Sequence, residues 1–371
     1  MKLMKIFIIA GEPSGDEYGA KLMEELNKNN SELTFCGIGG TLMEAQGLKS
    51  MVPLNDIAVM GFSEIIKKIF YFLKLEKQIL SFIKHNALQK IILIDYPGFN
   101  LRIAKKIKAI SNAKIIYYIS PQIWAWKEKR INIIKKYVDE LLVIFEFEKK
   151  WYQERGVKTH YIGHPFLDIW TKGHNINEFI EKNKIDIQKP ILTLFPGSRK
   201  QEVKRHLSLF VDAALHLKSI VPELQILLGL HSDLELKKSI NKDVKIIEHD
   251  QLKALEIANA AIISSGTATL QSAIMGVPAV VVYKMNTISW LITKFFVNVK
   301  FASMANIIMN KEIYKEHLQN NATKEQIVAS ISKIFTDNLY KENLISEIKQ
   351  INESVGSAGA TKKAAKLIEM I

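Results

Sequence analysis

Asp95 ends an apolar run, Lys90–Asp95, and sits in the segment Ile94-Asp95-Tyr96-Pro97-Gly98-Phe99-Asn100. A carboxylate at the end of a buried strand projects toward the place where ligands bind, and there it can take the proton of an attacking hydroxyl. The alternative is a carboxylate that caps the following turn. Arg199 stands in Phe195-Pro196-Gly197-Ser198-Arg199-Lys200-Gln201-Glu202, directly after another apolar run. A guanidinium on such a turn grips a phosphate through two parallel hydrogen bonds, or else makes a surface ion pair with Glu202. The segment Ser264-Ser265-Gly266-Thr267-Ala268-Thr269-Leu270-Gln271 follows a third run and opens a helix. Its N–H groups, hydroxyls and helix dipole suit a phosphate, and equally suit a simple helix cap. No Gly-Lys-Ser/Thr follows, so this is not a Walker motif.

Two further segments have chemistry-bearing composition. Gly11-Glu12-Pro13-Ser14-Gly15-Asp16 follows the first apolar run; Glu12, Ser14 and Asp16 either face a ligand or cap the next helix. Ser120-Pro121-Gln122-Ile123-Trp124-Ala125-Trp126, followed by Lys127, Lys129 and Arg130, pairs aromatic and basic side chains. Gln122 and Trp124 can meet a sugar or base, the tryptophans can lie at a lipid interface, or the pair is core beside a solvated helix face. Gly37-Ile38-Gly39-Gly40 lacks the full dinucleotide spacing. His164, before Pro165, reads as hinge, packing or catalysis, and no His/Cys/Asp/Glu cluster has metal-ligand spacing, so neither metal nor cofactor is expected.

The elements that position these residues alternate. Strands are expected at Lys5–Ala10, Lys90–Asp95, Lys114–Ile119 and Leu141–Phe145. A second series follows at Ile191–Phe195, Gln225–Gly229, Val244–Ile247, Ala260–Ser264 and Ala279–Tyr283. Amphipathic stretches lie between them. This predicts an α/β protein of two doubly wound, Rossmann-like domains joined near residues 165–190, with ligands at the carboxyl ends of the strands and a cleft between the domains.

Composition narrows the functional classes. The chain has 371 residues, 48% hydrophobic and 24% charged, and one cysteine, Cys36. That argues against disorder, coiled coil and a disulfide framework, and fits a reducing compartment. No secretory signal or membrane span is read from the pattern, which suggests a cytoplasmic protein. The net charge is +13, and Arg102 to Lys136 concentrates ten Lys/Arg against Glu128 alone. An RNA-binding or helix-turn-helix motif is absent, so no nucleic-acid partner is expected.

In their order, the motifs AGEPSGD (Ala10–Asp16), GIGG (Gly37–Gly40), VMGFSE (Val59–Glu64), DYPGFN (Asp95–Asn100), YISPQIWAWKEKR (Tyr118–Arg130), YIGHP (Tyr161–Pro165), PGSR (Pro196–Arg199) and SGTATL (Ser265–Leu270) resemble the lipid-A-disaccharide synthase family over nearly the whole chain. The resemblance implies a GT-B fold with its active site between two Rossmann-like domains. Residues 1–165 would be the acceptor domain, 166–345 the UDP-sugar domain, and 346–371 a helix crossing back. It implies an inverting transfer of 2,3-diacylglucosamine from its UDP donor to the 6-hydroxyl of 2,3-diacylglucosamine 1-phosphate in lipid A biosynthesis, at the inner membrane. By it, Asp95 matches the candidate base. Arg199, Ser198 and Glu202 match the diphosphate side, and Ser265, Gly266, Thr267, Ala268 and Gln271 the nucleotide loop. Asn306 matches a family asparagine counted with the catalytic set. Two positions depart from the pattern: Gln271 replaces a glutamate, and Met304-Ala305-Asn306 lacks a proline. A UDP-N-acetylglucosamine epimerase on the same fold is the alternative enzyme, and a homodimer is admitted among the partners.

An acylated substrate must be met at a bilayer. Ile65–Lys77 mixes four lysines with Phe70, Tyr71, Phe72 and Leu73, as interfacial helices do. Ser289–Val297 is a second apolar–basic patch. The basic stretch 102–136 is expected to face an anionic inner-membrane surface and the phosphate of a lipid substrate.

Overall fold

Apolar runs of four to seven residues with no polar alternation must be covered on both faces, and in a parallel sheet they are. The computed structural model describes residues 4–30, 32–57, 68–124, 127–230, 240–286, 290 and 300–371. The motif Val59–Glu64, the start of the Ile65–Lys77 segment, Trp126 and nearly all of Ser289–Val297 lie outside them.

The described residues form two units. The first holds those through Ile169 together with Val355–Ile371, and the second those from Trp170 to Ser354. In the first, β1 (Met4–Ala10), β2 (Leu33–Ile38), β3 (Leu48–Ser50), β4 (Lys90–Ile94), β5 (Lys114–Tyr118), β6 (Glu140–Val143) and β7 (Thr159–Tyr161) make one sheet in the order β3-β2-β1-β4-β5-β6-β7. In the second, β8 (Ile191–Phe195), β9 (Gln225–Gly229), β10 (Val244–Ile247), β11 (Ala260–Ser264), β12 (Ala279–Tyr283) and β13 (Lys315–Leu318) follow the order β10-β9-β8-β11-β12-β13. Every pairing is parallel. In each sheet the chain starts in the middle, winds one way, then returns to wind the other. The strand order therefore reverses between β1 and β4, and again between β8 and β11, and crevices open at such reversals.

The helix Ile69–His85 buries Phe72, Leu75, Ile79 and Ile83, one face at helical spacing, in the core with Phe7 and Ile91. Its Glu76, also buried, forms ion pairs with Arg102 Nε at 2.9 Å and with Lys106. Lys108 pairs with Asp139 at 2.6 Å. Three cations of the basic stretch thus brace the fold. The last helix, Ala360–Met370, packs on Pro13–Asn29. Asp168 accepts from Thr361 N at 2.6 Å and from Gly359 N at its start, and Lys90 Nζ donates to the carbonyls of Ile368 and Glu369 at its end. Both of its termini are therefore capped by side chains of the first unit.

Candidate active site

In the first unit, β1 and β4 are neighbours paired Ala10 to Ile94, so the loops after them emerge together at the reversal. Asp95 and Tyr96 both have left-handed backbones, φ 40° and 47°. Two such residues in a row are strained and persist only where the surroundings hold them. Asn100, fully buried, donates to the carbonyls of Ile94 at 3.1 Å and Asp95 at 2.8 Å, and the Tyr117 hydroxyl donates to the Asp95 carbonyl at 2.5 Å. Tyr96 donates to Ile57 O at 2.9 Å, and its ring occupies the space any Cβ at Gly11 would need, 2.3 Å away. The Gly11 loop and the Asp95 turn are therefore packed directly against each other, and only glycine leaves room for the Tyr96 ring. Asn100 and Tyr117 are the positioning residues that spacing alone missed, although Asn100 stood inside the motif.

Glu12 and Ser14 are partly exposed at the start of the helix Pro13–Asn29, where Pro13 suits the first helical position. Asp16 is not a ligand-facing residue. It is buried, and its carboxylate accepts from the N–H groups of Gly40 (2.7 Å), Leu42 (3.2 Å) and Met43 (3.1 Å). A Cβ at Gly40 would lie 2.5 Å from it, so the Gly37–Gly40 segment is a docking surface for Asp16. Burial, and then the Asp16 charge, push Glu17 up to about 7. His164 accepts from Phe166 N at 3.2 Å and packs against Tyr18 and Phe145; burial depresses it to about 3, so it is a neutral packing group.

Trp124 donates to Glu148 at 2.9 Å, and Tyr152 donates to Pro121 O at 2.6 Å, which pins the loop after β5. Gln122 is half-buried on that loop. Glu148 is wholly buried, and this desolvation raises it to about 7 against the pull of Trp124 and two backbone N–H groups. The folded protein keeps this proton up to about 7 whereas the unfolded chain releases it near 4.5. The stabilisation is complete below pH 4.5 and is lost as pH rises through 7. Glu148→Gln, neutral throughout, is expected to flatten this part of the stability–pH curve by about 3 kcal/mol. Melting temperatures at pH 5 and pH 8 measure it, and a curve parallel to wild type would refute it.

In the second unit, β8 and β11 are neighbours at the other reversal. Gly197 has φ 132°, and a Cβ there would lie 2.4 Å from Glu202 Cβ. The tight turn brings Ser198 N to Glu202 Oε2 and Arg199 Nη1 to Glu202 Oε1, both 3.2 Å. Glu202 is buried, so it orients Arg199 from below. One turn further along the helix Lys200–Ile220, His206 Nδ1 donates to Pro196 O at 2.8 Å and its Nε2 accepts from Lys284 N at 2.9 Å. These partners fix a neutral tautomer, and burial lowers the ring's pKa. His206 thus ties the Pro196–Arg199 turn to the end of β12; the spacing Arg199, Glu202, His206 along one helix face was the signal for it. Gly266 (φ 132°) opens the helix Thr267–Ile274 and is exposed with Thr267, while Ser265, Ala268 and Gln271 are half-buried. Ser265 donates to Ala302 O at 2.7 Å, and Thr269 Oγ1 accepts from Met304 N at 3.0 Å.

Asn306 is a correction. Its side chain donates to Tyr314 O and Glu316 Oε1, both 2.8 Å, and accepts from Ile313 N and Tyr314 N, both 2.9 Å. All four bonding positions are taken and the residue is fully buried. It staples the helix Met304–Met309 to β13 and has nothing left to offer a substrate. Among the described residues, no group of three His, Cys, Asp or Glu side chains is arranged to hold a metal.

A family model described as lipid-A-disaccharide synthetase matches residues 6–369. The lipid-A-disaccharide synthase of Coxiella burnetii (strain CbuK_Q154) is 33% identical, the match covering 99% of this chain and 98% of that protein. The chain belongs to the lipid-A-disaccharide synthase family. It is accordingly a glycosyltransferase, and its two parallel-sheet domains are of GT-B type. Two solved structures share the fold at 12% identity each. UDP-GlcNAc 2-epimerase from Neisseria meningitidis, bound to UDP-GlcNAc, has a TM-score of 0.67 over 99% of this chain and 100% of its own. The calicheamicin glycosyltransferase CalG4 has 0.62 over 100% and 98%. At that identity the epimerase likeness carries fold alone, so the epimerase alternative has no support beyond architecture. Within the lipid-A-disaccharide synthase pattern, this chain's Gln271 keeps a hydrogen-bonding side chain without charge. Its Ala305 is fully buried, in a helix start that Ser303 caps by accepting from Asn306 N at 3.2 Å.

Proposed function

We propose that the chain transfers 2,3-diacylglucosamine from its UDP donor to the 6-hydroxyl of 2,3-diacylglucosamine 1-phosphate, with inversion. One observation carries the reading: each sheet delivers two of the motif-bearing loops from adjacent strands at its reversal point, Gly11–Asp16 with Asp95–Asn100 and Pro196–Arg199 with Ser265–Thr267. The second unit's pair has a guanidinium and a helix N-terminus, which suit a diphosphate. The first unit's pair has a carboxylate held on a strained turn, which suits a base. Asp95 takes the proton of the acceptor hydroxyl as its oxygen bonds to the anomeric carbon. The C–O bond to UDP breaks, and Arg199 with the N–H groups of the Thr267 helix stabilises the departing charge. UDP release supports the reading if it requires both acylated sugars together; release with the donor alone, or none from folded protein, counts against it.

The chain has no described helix long and apolar enough to cross a membrane. We read the outer face of the helix Ile69–His85 as the membrane contact. Phe70 is 82% exposed, with Ile69 and Leu73 beside it and the exposed Lys74 and Lys77 on the same side. Phe72 is not part of this face, because it is in the core, and Tyr71 is half-buried. Apolar insertion backed by lysines is how interfacial helices bind anionic bilayers. Phe70→Asp combined with Leu73→Asp is expected to weaken binding to phosphatidylglycerol vesicles at least tenfold, since each apolar side chain is worth about 1.5–3 kcal/mol on burial. Co-sedimentation tests this, and unchanged binding would remove the helix from the membrane face.

A further inference from the structure

The turn that presents Arg199 does not fix its own shape. Pro196 follows β8 directly, and Gly197 at φ 132° is permissive backbone, so the local sequence leaves the path of the turn open. Strand pairing stops short of it. The register of β8 on β11 ends at Phe195 with Ile263, and that of β11 on β12 at Ser264 with Val282. Two side chains of the helix Lys200–Ile220 grip the turn on either side of Gly197. Glu202 accepts from Ser198 N at 3.2 Å, and one turn further on His206 Nδ1 donates to Pro196 O at 2.8 Å.

The other end of the imidazole reaches further. Its Nε2 accepts at 2.9 Å from the N–H of Lys284, the first residue after β12. β8 and β12 are not neighbours. β11 lies between them, and it delivers the Ser265–Thr267 loop. One ring thus joins the two strand ends that flank the strand carrying that loop. Phe210 stacks on the ring with centroids 5.7 Å apart, and Tyr283 packs against it at 5.4 Å. His206 is fully buried, so removing it leaves Pro196 O and Lys284 N without these partners.

We infer that His206 is a positioning residue for the nucleotide-sugar donor: by joining the Pro196–Arg199 turn to the end of β12, it holds the diphosphate seat in its binding shape before the donor arrives. A turn held in advance loses little freedom when the ligand binds, so more of the contact energy appears as affinity. The inference rests on the reading of Arg199 and the Ser265 loop as the diphosphate side, and adds to it the residue that preorganises that side.

Calorimetric titration with UDP, and steady-state kinetics with both acylated sugars, compare wild type with five variants. His206→Phe keeps a ring against Phe210 and Tyr283 but makes neither bond, and His206→Leu drops the ring as well; either serves if the other does not fold. In both, UDP affinity and kcat/KM for the donor should fall roughly tenfold, while the KM for the acceptor stays at the wild-type level. Asparagine reaches the Nδ1 position and glutamine the Nε2 position. His206→Asn and His206→Gln can therefore each remake one bond, and each should recover part of the loss. Ala213→Gly loosens the same helix two turns further on and should leave UDP affinity unchanged. Wild-type UDP affinity in a folded phenylalanine or leucine variant, or an equal loss in Ala213→Gly, overturns the inference. Arg199→Met is run beside them. Loss of UDP binding with Arg199→Met but not with the His206 variants overturns the inference alone; no loss with either strikes the diphosphate reading as well.

Discussion

Asp95→Asn is expected to lower kcat by about 10²- to 10⁴-fold, the usual worth of a positioned general base, while UDP affinity stays at the wild-type level. The substitution is informative because the backbone tolerates it. Asp95 sits in the left-handed region, where asparagine is among the most readily accommodated residues. Its carbonyl is held by Asn100 and Tyr117, and neither contact involves the carboxylate. The substitution leaves both of these backbone contacts in place and removes the proton acceptor. UDP binding serves as the internal control, since the residues assigned to it are in the other unit. Steady-state turnover with calorimetric titration of UDP measures both quantities. Full activity in the variant would remove Asp95 as the base.

Arg199→Met is expected to lower kcat/KM by about 10²- to 10³-fold, the loss seen when one preorganised donor to a developing charge is removed. Unlike the Asp95 variant, it should also weaken UDP. Glu202 is buried beneath Arg199 and also accepts from Ser198 N, so removing the guanidinium leaves a buried carboxylate with one partner fewer. Some loss of stability is expected with the loss of binding. Arg199→Lys separates the two effects. It returns a charge above Glu202 but not the planar fork, so stability should recover more than activity does. Equal recovery of both would mean that Arg199 matters only as a partner for Glu202.

The strands that carry the site were legible because they are central. β1, β4, β5, β8, β11 and β12 are buried on both faces and read as plain apolar runs. The strands the pattern did not show include β3, β7 and β13, each at the edge of its sheet. Lys315-Glu316-His317-Leu318 and Thr159-His160-Tyr161 are short and polar because an edge is partly solvated, so burial leaves no periodic mark. The site followed the same logic. Motifs directly after central strands, at Asp95, Arg199 and Ser265, fell at the two reversal points. Sequence could not show where a polar side chain spends its hydrogen bonds. Asp16, read as ligand-facing or as a helix cap, and Asn306, placed in the catalytic set by the resemblance alone, both accept from backbone N–H groups. His206 and Tyr117, which lie outside every motif, hold the loops in place. The basic stretch divided in the same way, Arg102, Lys106 and Lys108 going to Glu76 and Asp139 within the fold.

The most direct test of the central claim is the product itself. Purified chain supplied with UDP-2,3-diacylglucosamine and 2,3-diacylglucosamine 1-phosphate should yield a tetraacyl disaccharide 1-phosphate in step with UDP. Proton NMR of its new anomeric centre should give the large coupling of a β linkage. An α-linked disaccharide, or UDP formed with only free sugar or an epimerised nucleotide sugar beside it, would contradict inverting transfer to the phosphorylated acceptor.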